Sequence, residues 1–212
     1  MASTSVIPIY IADEVVFPGC SETLLLTDSS SIDMARKCIT QTGMFGCIPR
    51  KPGTGETSLL YRVGTLVEVI ALKESKVKPV EITLLGKERF RVIERITSGE
   101  PIAARVIPVD DVDITSSTFL DEISLLRQEI LENYEKLSLK YPGKFTPINE
   151  EILKNASNKE FSFLIAGHVH LRREDRITLL EMTSTRDRMR KLLECLTAIP
   201  PVQTRLIPGP ER

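Results

Sequence analysis

The chain contains no tryptophan, only 5% aromatic residues and two histidines among its 212 residues. Single-stranded nucleic-acid platforms depend on aromatic stacking and a basic groove, and both are scarce here. Lys+Arg and Asp+Glu number 28 and 29, for a net charge of -1. The balance holds in both halves: residues 1–112 carry 13 basic and 14 acidic side chains, the remainder 15 and 15. The bulk electrostatic attraction behind non-specific nucleic-acid binding is therefore missing, and nucleic acid is not an expected partner. Arg186, Arg188, Arg190 and Lys191 form the one local basic cluster. It reads as a solvated helix face balanced by Glu181, Asp187 and Glu194.

Other absences narrow the field. No apolar run approaches the roughly 20 residues that cross a bilayer, and the opening MASTSVIPIYIADE lacks the basic and apolar regions of a signal peptide. The four cysteines, at 20, 38, 47 and 195, form no CxxC pair. They are expected to be free thiols in a reducing, cytoplasmic setting, with no zinc site and no cofactor. There is no GxxxxGK[ST] phosphate loop and no GxSxG nucleophile elbow. His168 and His170 stand at i and i+2, which on a helix points them to different sides and makes no two-histidine metal face. The acids Asp110, Asp111 and Asp113, and the pair Glu150 and Glu151, read as surface linkers or caps. No catalytic motif is present, so the chain is not expected to be an enzyme.

What is present divides into two styles. Hydrophobic residues make up 42%, enough for a sizeable core. Up to Val112 the apolar residues fall in short β-rich runs: 6–11, where Pro8 favours an edge or strand end; 24–26; 45–48; 66–72; 80–84; 90–96; and 102–109. The segment 14–19 runs into a Pro18-Gly19 turn, 29–41 has helical spacing, and 49–55 reads as a flexible loop. Many short strands with one helix suggest a closed or nearly closed β-barrel.

After residue 112 the period changes. Phe119, Ile123, Leu126, Ile130, Tyr134 and Leu137 mark one long amphipathic helix. Ser157 and Glu160 make a capping box for a second. Residues 175–182 form a short helix, and Ser184 caps a last one stopped by Pro200-Pro201 before a loose tail. The expected fold class is α+β: a β-barrel subdomain over 1–112 and a helical bundle over 113–212.

The order of motifs is more specific than any one of them. Val15-Val16-Phe17-Pro18-Gly19 is followed by a leucine run, a short helix, Val63-Gly64-Thr65, then Gly86-Lys87-Glu88-Arg89 and, in the bundle, residues 165–171 and 179–189. This succession, spanning residues 6 to 197, resembles the N-terminal, substrate-binding domain of Lon proteases. The resemblance implies a PUA-like pseudo-barrel followed by a helical bundle. It also implies binding of unfolded or tagged polypeptides, with a protease or chaperone as partner, in connection with ATP-dependent proteolysis. A PUA-like RNA-binding or adaptor role is the alternative, and oligomerisation is left open.

Phe17, Pro18, Gly19, Gly64, Gly86 and Arg89 are expected to be structural, Arg89 by bonding free carbonyls or a carboxylate. Tyr61 and Phe90 are the candidate peptide contacts, in a groove between the sheet and the first long helix. The family's ATPase and serine–lysine protease domains are not in this chain, which is read either as a stand-alone protein or as an excised fragment, the Pro-rich ending leaning toward the first. The helix after the leucine strand opens Asp28-Ser29-Ser30-Ser31, without the family's charged start.

Overall fold

A computed structural model describes residues 4–40, 43–51, 61–73, 79–96, 101–112 and 117–199. Six strands come from the first half: β1 (Ser5–Ala12), β2 (Ser21–Leu26), β3 (Met44–Pro49), β4 (Val63–Lys73), β5 (Val80–Ile96) and β6 (Ala103–Pro108), with helix α1 (Ser29–Thr40) between β2 and β3. Their order is β2-β5-β4-β3-β1-β6, and β5 also pairs with β6, so five strands close into a ring with β2 outside it on β5. All pairings are antiparallel except β1 with β3. The expected closure is thus present as a ring-like mixed sheet.

Two details differ from the sequence reading. The runs at 80–84 and 90–96 are one 17-residue strand, because Gly86 lies inside the β4–β5 ladder opposite Val67 and makes no turn. β1 is not an edge strand: residues 5–8 pair with β6 and residues 9–12 with β3. Pro8 sits in the β6-paired part, opposite Ala103, where the β3 ladder has not begun, so its missing N–H costs no bond on that side. The expected loop at 49–55 and the tail after Ile199 fall mostly or wholly outside the described residues.

The second half is helical: α2 (Ser117–Lys140), a 3-10 turn at Pro142–Lys144, α3 (Glu150–Asn155), α4 (Asn158–His168), α5 (Arg173–Glu181) and α6 (Thr185–Thr197). The caps of α4 and α6 are where the sequence puts them, whereas α2 begins at Ser117, ahead of the Thr118 that the sequence offers as its cap. Ser157 and Glu160 form a complete capping box, and the Ser184 side chain accepts from Asp187 N. Helix α3 was not anticipated. Asn149 caps it, and Glu150 and Glu151, which the sequence reads as surface linkers or caps, occupy its first turn where the helix dipole favours them.

The core has three parts. On β3, Phe45 and Cys47 join a cluster under α1, while Ile48 on the opposite face packs with Ile9 and Phe90. The largest cluster belongs to the helices but also takes in Val15, Phe17, Cys20 and Val63 from the sheet half. The two halves therefore share one apolar cluster across the seam between them.

Candidate polypeptide-binding groove

The seam is built on the Phe17-Pro18-Gly19 turn. Gly19 takes φ 77°, a conformation that favours glycine. The turn docks on β5 through two backbone bonds, Gly19 N to Gly86 O at 2.9 Å and Gly86 N to Cys20 O at 2.9 Å. A Cβ on Gly86 would lie 2.1 Å from Phe17 O, so no larger residue fits. Thr65 Oγ1 donates to Val16 O at 2.6 Å and holds the same segment to β4.

Arginines fasten the helices to this platform. Arg176 of α5 donates to Val15 O at 2.7 Å and stacks 5.1 Å from the Phe17 ring. Arg173 donates to Asp13 O at 2.7 Å. At the centre, Asp111 accepts from Arg89 of β5, from Arg188 of α6 and from Thr185. Arg89 also donates to the carbonyls of Leu180 and Met182 at 2.7 and 2.6 Å, and Arg188 to Ser162 Oγ at 2.8 Å.

These are interior charges: side-chain exposures are 1% for Arg89, 6% for Asp111 and 0% for Arg188. Burial pushes the Asp111 carboxyl up, but hydrogen bonds and charge from Arg188, with Thr185 and Arg89, hold it below the usual carboxylate value. Burial pulls the Arg89 guanidinium down, and Asp111 offsets part of that.

Two sequence readings are corrected here. Asp111 is not a surface linker acid but the buried centre of this network. Arg188 is not on a solvated face either, because it falls on the buried stripe of α6 with Thr185, Met189 and Leu192. That i, i+3, i+4, i+7 spacing was the signal for its burial. The rest of the cluster stays at the surface: Arg186 and Arg190 pair with Asp187, as the sequence suggests, and with Glu122, which it does not, while Lys191 lies near Glu194. His168 ends α4, with Nδ1 2.8 Å from Leu164 O, and Val169 is extended, so the two histidines do not share a helix.

The peptide contacts expected at Tyr61 and Phe90 are not brought together. Phe90 is only 4% exposed, and a Cβ on Gly64 or Gly46 would lie 2.7 or 2.6 Å from its Cζ. It fills space that those glycines leave, and it offers no contact surface. Tyr61 is half-buried against the helical core, with Lys51 Nζ 5.5 Å from its ring. Helix α2 packs on α6 and α4.

The groove that the structure does form runs along the other side of α2. It has a volume of about 640 Å³. The buried Tyr134, Phe145, Phe161 and Leu153 form its floor, and the accessible apolar surface comes from the half-buried Leu131 and Ile148 and from Leu139 at the rim. Tyr134 and Phe145 meet edge to face at 5.4 Å, and Tyr134 donates to Thr146 O at 2.7 Å, which fixes both rings. Arg127 ties α3 to α2, donating to the Leu153 and Ala156 carbonyls at 2.5 and 3.0 Å while stacking 4.3 Å from the Phe161 ring. Leu139 is 86% exposed. A second hollow of about 480 Å³ lies across α3, between Ile152, Leu164 and the Pro18-Gly19 turn. Sequence reasoning missed this region because the segment 142–154 has no periodic pattern to announce it.

Among the described residues no group of three or more His, Cys, Asp or Glu is gathered to hold a metal, and no helix is long and apolar enough to cross a membrane. A ring-like sheet riveted to a helical bundle, with a largely pre-formed apolar groove, is the build of a binding domain. The chain belongs to the family of the ATP-dependent protease La (Lon) substrate-binding domain, whose model matches residues 6–198.

Relatives include a Lon protease of Anaeromyxobacter dehalogenans, 23% identical over 91% of this chain, and one of Halothermothrix orenii, 26% identical over 86%. The chain spans 23% of the length of each. The fold is also that of the N-terminal domain of the Mycobacterium avium complex Lon protease, with TM-score 0.72 and 14% identity over 92% of this chain and 100% of that one. A Lon N-terminal domain protein from Xanthomonas campestris matches with TM-score 0.61 and 18% identity over 90% and 98%.

Proposed function

We propose that this chain binds polypeptide segments that expose bulky apolar side chains, as unfolded or tagged proteins do, and that it presents them for ATP-dependent proteolysis. Membership of a substrate-binding domain family supports the role. The observation that carries the location is the groove of α2, α3 and α4, whose rings are held in place while Leu139 stands out at its rim. Apolar surface left open in this way is favourable to cover, at about 25 cal/mol per Å². The four unpaired, buried cysteines fit a cytoplasmic setting.

The test is fluorescence anisotropy with a labelled, reduced and alkylated model polypeptide. Leu139→Glu places a charge at the rim without touching the core and is expected to weaken binding about tenfold, or about 1.4 kcal/mol. Equal binding by wild type and variant would remove the groove from the proposal. A parallel RNA titration in a salt series separates the alternative role, which requires salt-sensitive RNA binding without polypeptide binding.

A further inference from the structure

A third, chemically different pocket lies on the far side of the 142–146 segment. Phe145 and Val169 form an antiparallel bridge, framed by His170 N to Lys144 O at 2.9 Å and Thr146 N to His168 O at 2.8 Å. Phe145 and Val169 turn into the core. Alternation therefore puts Lys144 and His170 side by side on the outer face, directly opposite one another. Arg172 follows two residues later, and Lys191 arrives from α6. All four line one pocket of about 400 Å³.

The acids facing them do not balance this charge. Asp175 and Glu194 also line the pocket, but both attend Lys191, at 3.2 and 3.9 Å from its Nζ. Glu22 on β2, within electrostatic reach of His170, is paired with Arg176 at 3.7 Å. Among the described residues Lys144 and Arg172 have no ion-pair partner. Lys144 and Arg172 therefore bring unpaired positive charge to one pocket, with the His170 ring between them in sequence and beside Lys144 on the same face. The pocket wall is also where α5 starts. Its first turn already carries Glu174 and Asp175, so the positive charge of the pocket comes from the basic side chains and not from the helix end.

We propose that this pocket binds a phosphate-type anion, with Arg172 and Lys144 as the principal charged donors and His170 as a third donor. Arg172 supplies the planar fork that suits a phosphoryl group, and Lys144 a mobile point charge. The site is separate from the apolar groove and does not depend on it.

The experiment is a titration of the whole chain with inorganic phosphate at constant ionic strength, followed by amide chemical shifts of His170, Leu171 and Arg172. Saturable shifts are expected with phosphate and sulfate, and none with chloride. Lys144→Ala and Arg172→Ala remove exposed side chains that hold nothing else in place. Each is expected to weaken binding about tenfold, the loss of one charge-assisted bond, and the double variant to abolish it. A phosphoserine peptide run beside inorganic phosphate identifies the source of the group: tighter binding of the peptide assigns it to a modified polypeptide, equal binding to a free anion. Shifts that rise linearly without saturation, or saturable shifts that the double variant retains, overturn the proposal.

Discussion

Asp111 and Arg188 lie 77 positions apart in the chain, yet Arg188 Nη1 is 3.3 Å from Asp111 Oδ1, and Nη2 bonds the other carboxylate oxygen. Arg89 shares the same carboxylate. One acid thus serves two buried cations, one from the sheet and one from the last helix. Asp111→Asn leaves both guanidinium groups without their counter-charge in the interior. The expected cost is about 3–5 kcal/mol, the usual penalty for breaking a buried pair by removing one partner. Urea unfolding of wild type and variant measures it directly. Adding Arg188→Met to Asp111→Asn is expected to recover part of the loss, since an apolar side chain there no longer demands a partner.

The same carboxylate sets an acid limit. Asp111 titrates below its ordinary value of 3.8 in the fold. Its contribution is therefore complete above 3.8 and is lost as the pH falls through the lower folded value. Glu22 acts in the opposite sense. Burial raises it above 4.5, with Arg176 offsetting part of that, so its protonation relieves a cost and favours the fold as the pH drops through its raised value. The stability gap between wild type and Asp111→Asn is expected to stay constant above pH 3.8 and to shrink below it. Unfolding curves at a series of pH values test this, and a gap unchanged at low pH would show that the carboxylate is not held by its arginines.

Much of the local structure was legible. Ser157 with Glu160, and Ser184, marked two helix starts, because capping is a local event between neighbouring residues. The apolar stripe from Phe119 to Leu137 marked α2 in the same way. What escaped was non-local or aperiodic. Asp111 stands in an acidic run that looks like a linker, and its partner lies in a helix 77 residues on. Phe90 looked like a contact residue because strand alternation does not say which face a closed ring buries on both sides. The groove depends on α3, whose six residues bury only Leu153, too little pattern to be seen against proline-rich surroundings.

Gly86 was read as structural without its partner being visible. The partner is the Phe17 carbonyl, and the atoms that a Cβ would meet are all backbone of the Phe17–Pro18 peptide, with no flexible side chain to move aside. Gly86→Ala is expected to cost about 1–3 kcal/mol by overpacking, with further loss if the two bonds to Gly19 and Cys20 break. Gly19→Ala is milder, about 1–2 kcal/mol for a left-handed residue that gains a Cβ, since its Cβ would meet only Leu164 Cδ2 at 3.7 Å. Thermal unfolding of the two variants should therefore rank Gly86→Ala below Gly19→Ala, and the reverse order would mean that the turn can leave β5 freely.

The thiols report on the same seam. Burial pushes the Cys20 thiol up to about 12, with Arg176 offsetting part of the effect, and pushes Cys47 up to about 12 as well. At pH 8 such a thiol is ionised in only about one part in ten thousand, and the thiolate is the reactive form. Cys20 is also enclosed: its Sγ donates to Phe163 O at 3.5 Å, and Gly167 packs so closely that a Cβ there would lie 2.3 Å from that sulfur. Native protein mixed with an aromatic disulfide reagent at pH 8 is expected to leave Cys20 and Cys47 unmodified, whereas denatured protein reacts at all four cysteines. Peptide mapping by mass spectrometry assigns the sites. Because Cys20 follows the turn that Gly86 clasps, its modification should require that turn to open. Gly86→Ala should therefore raise the Cys20 rate, and Asp111→Asn should raise both rates together through global unfolding. Rapid modification of Cys20 in the native wild type would contradict the closed seam.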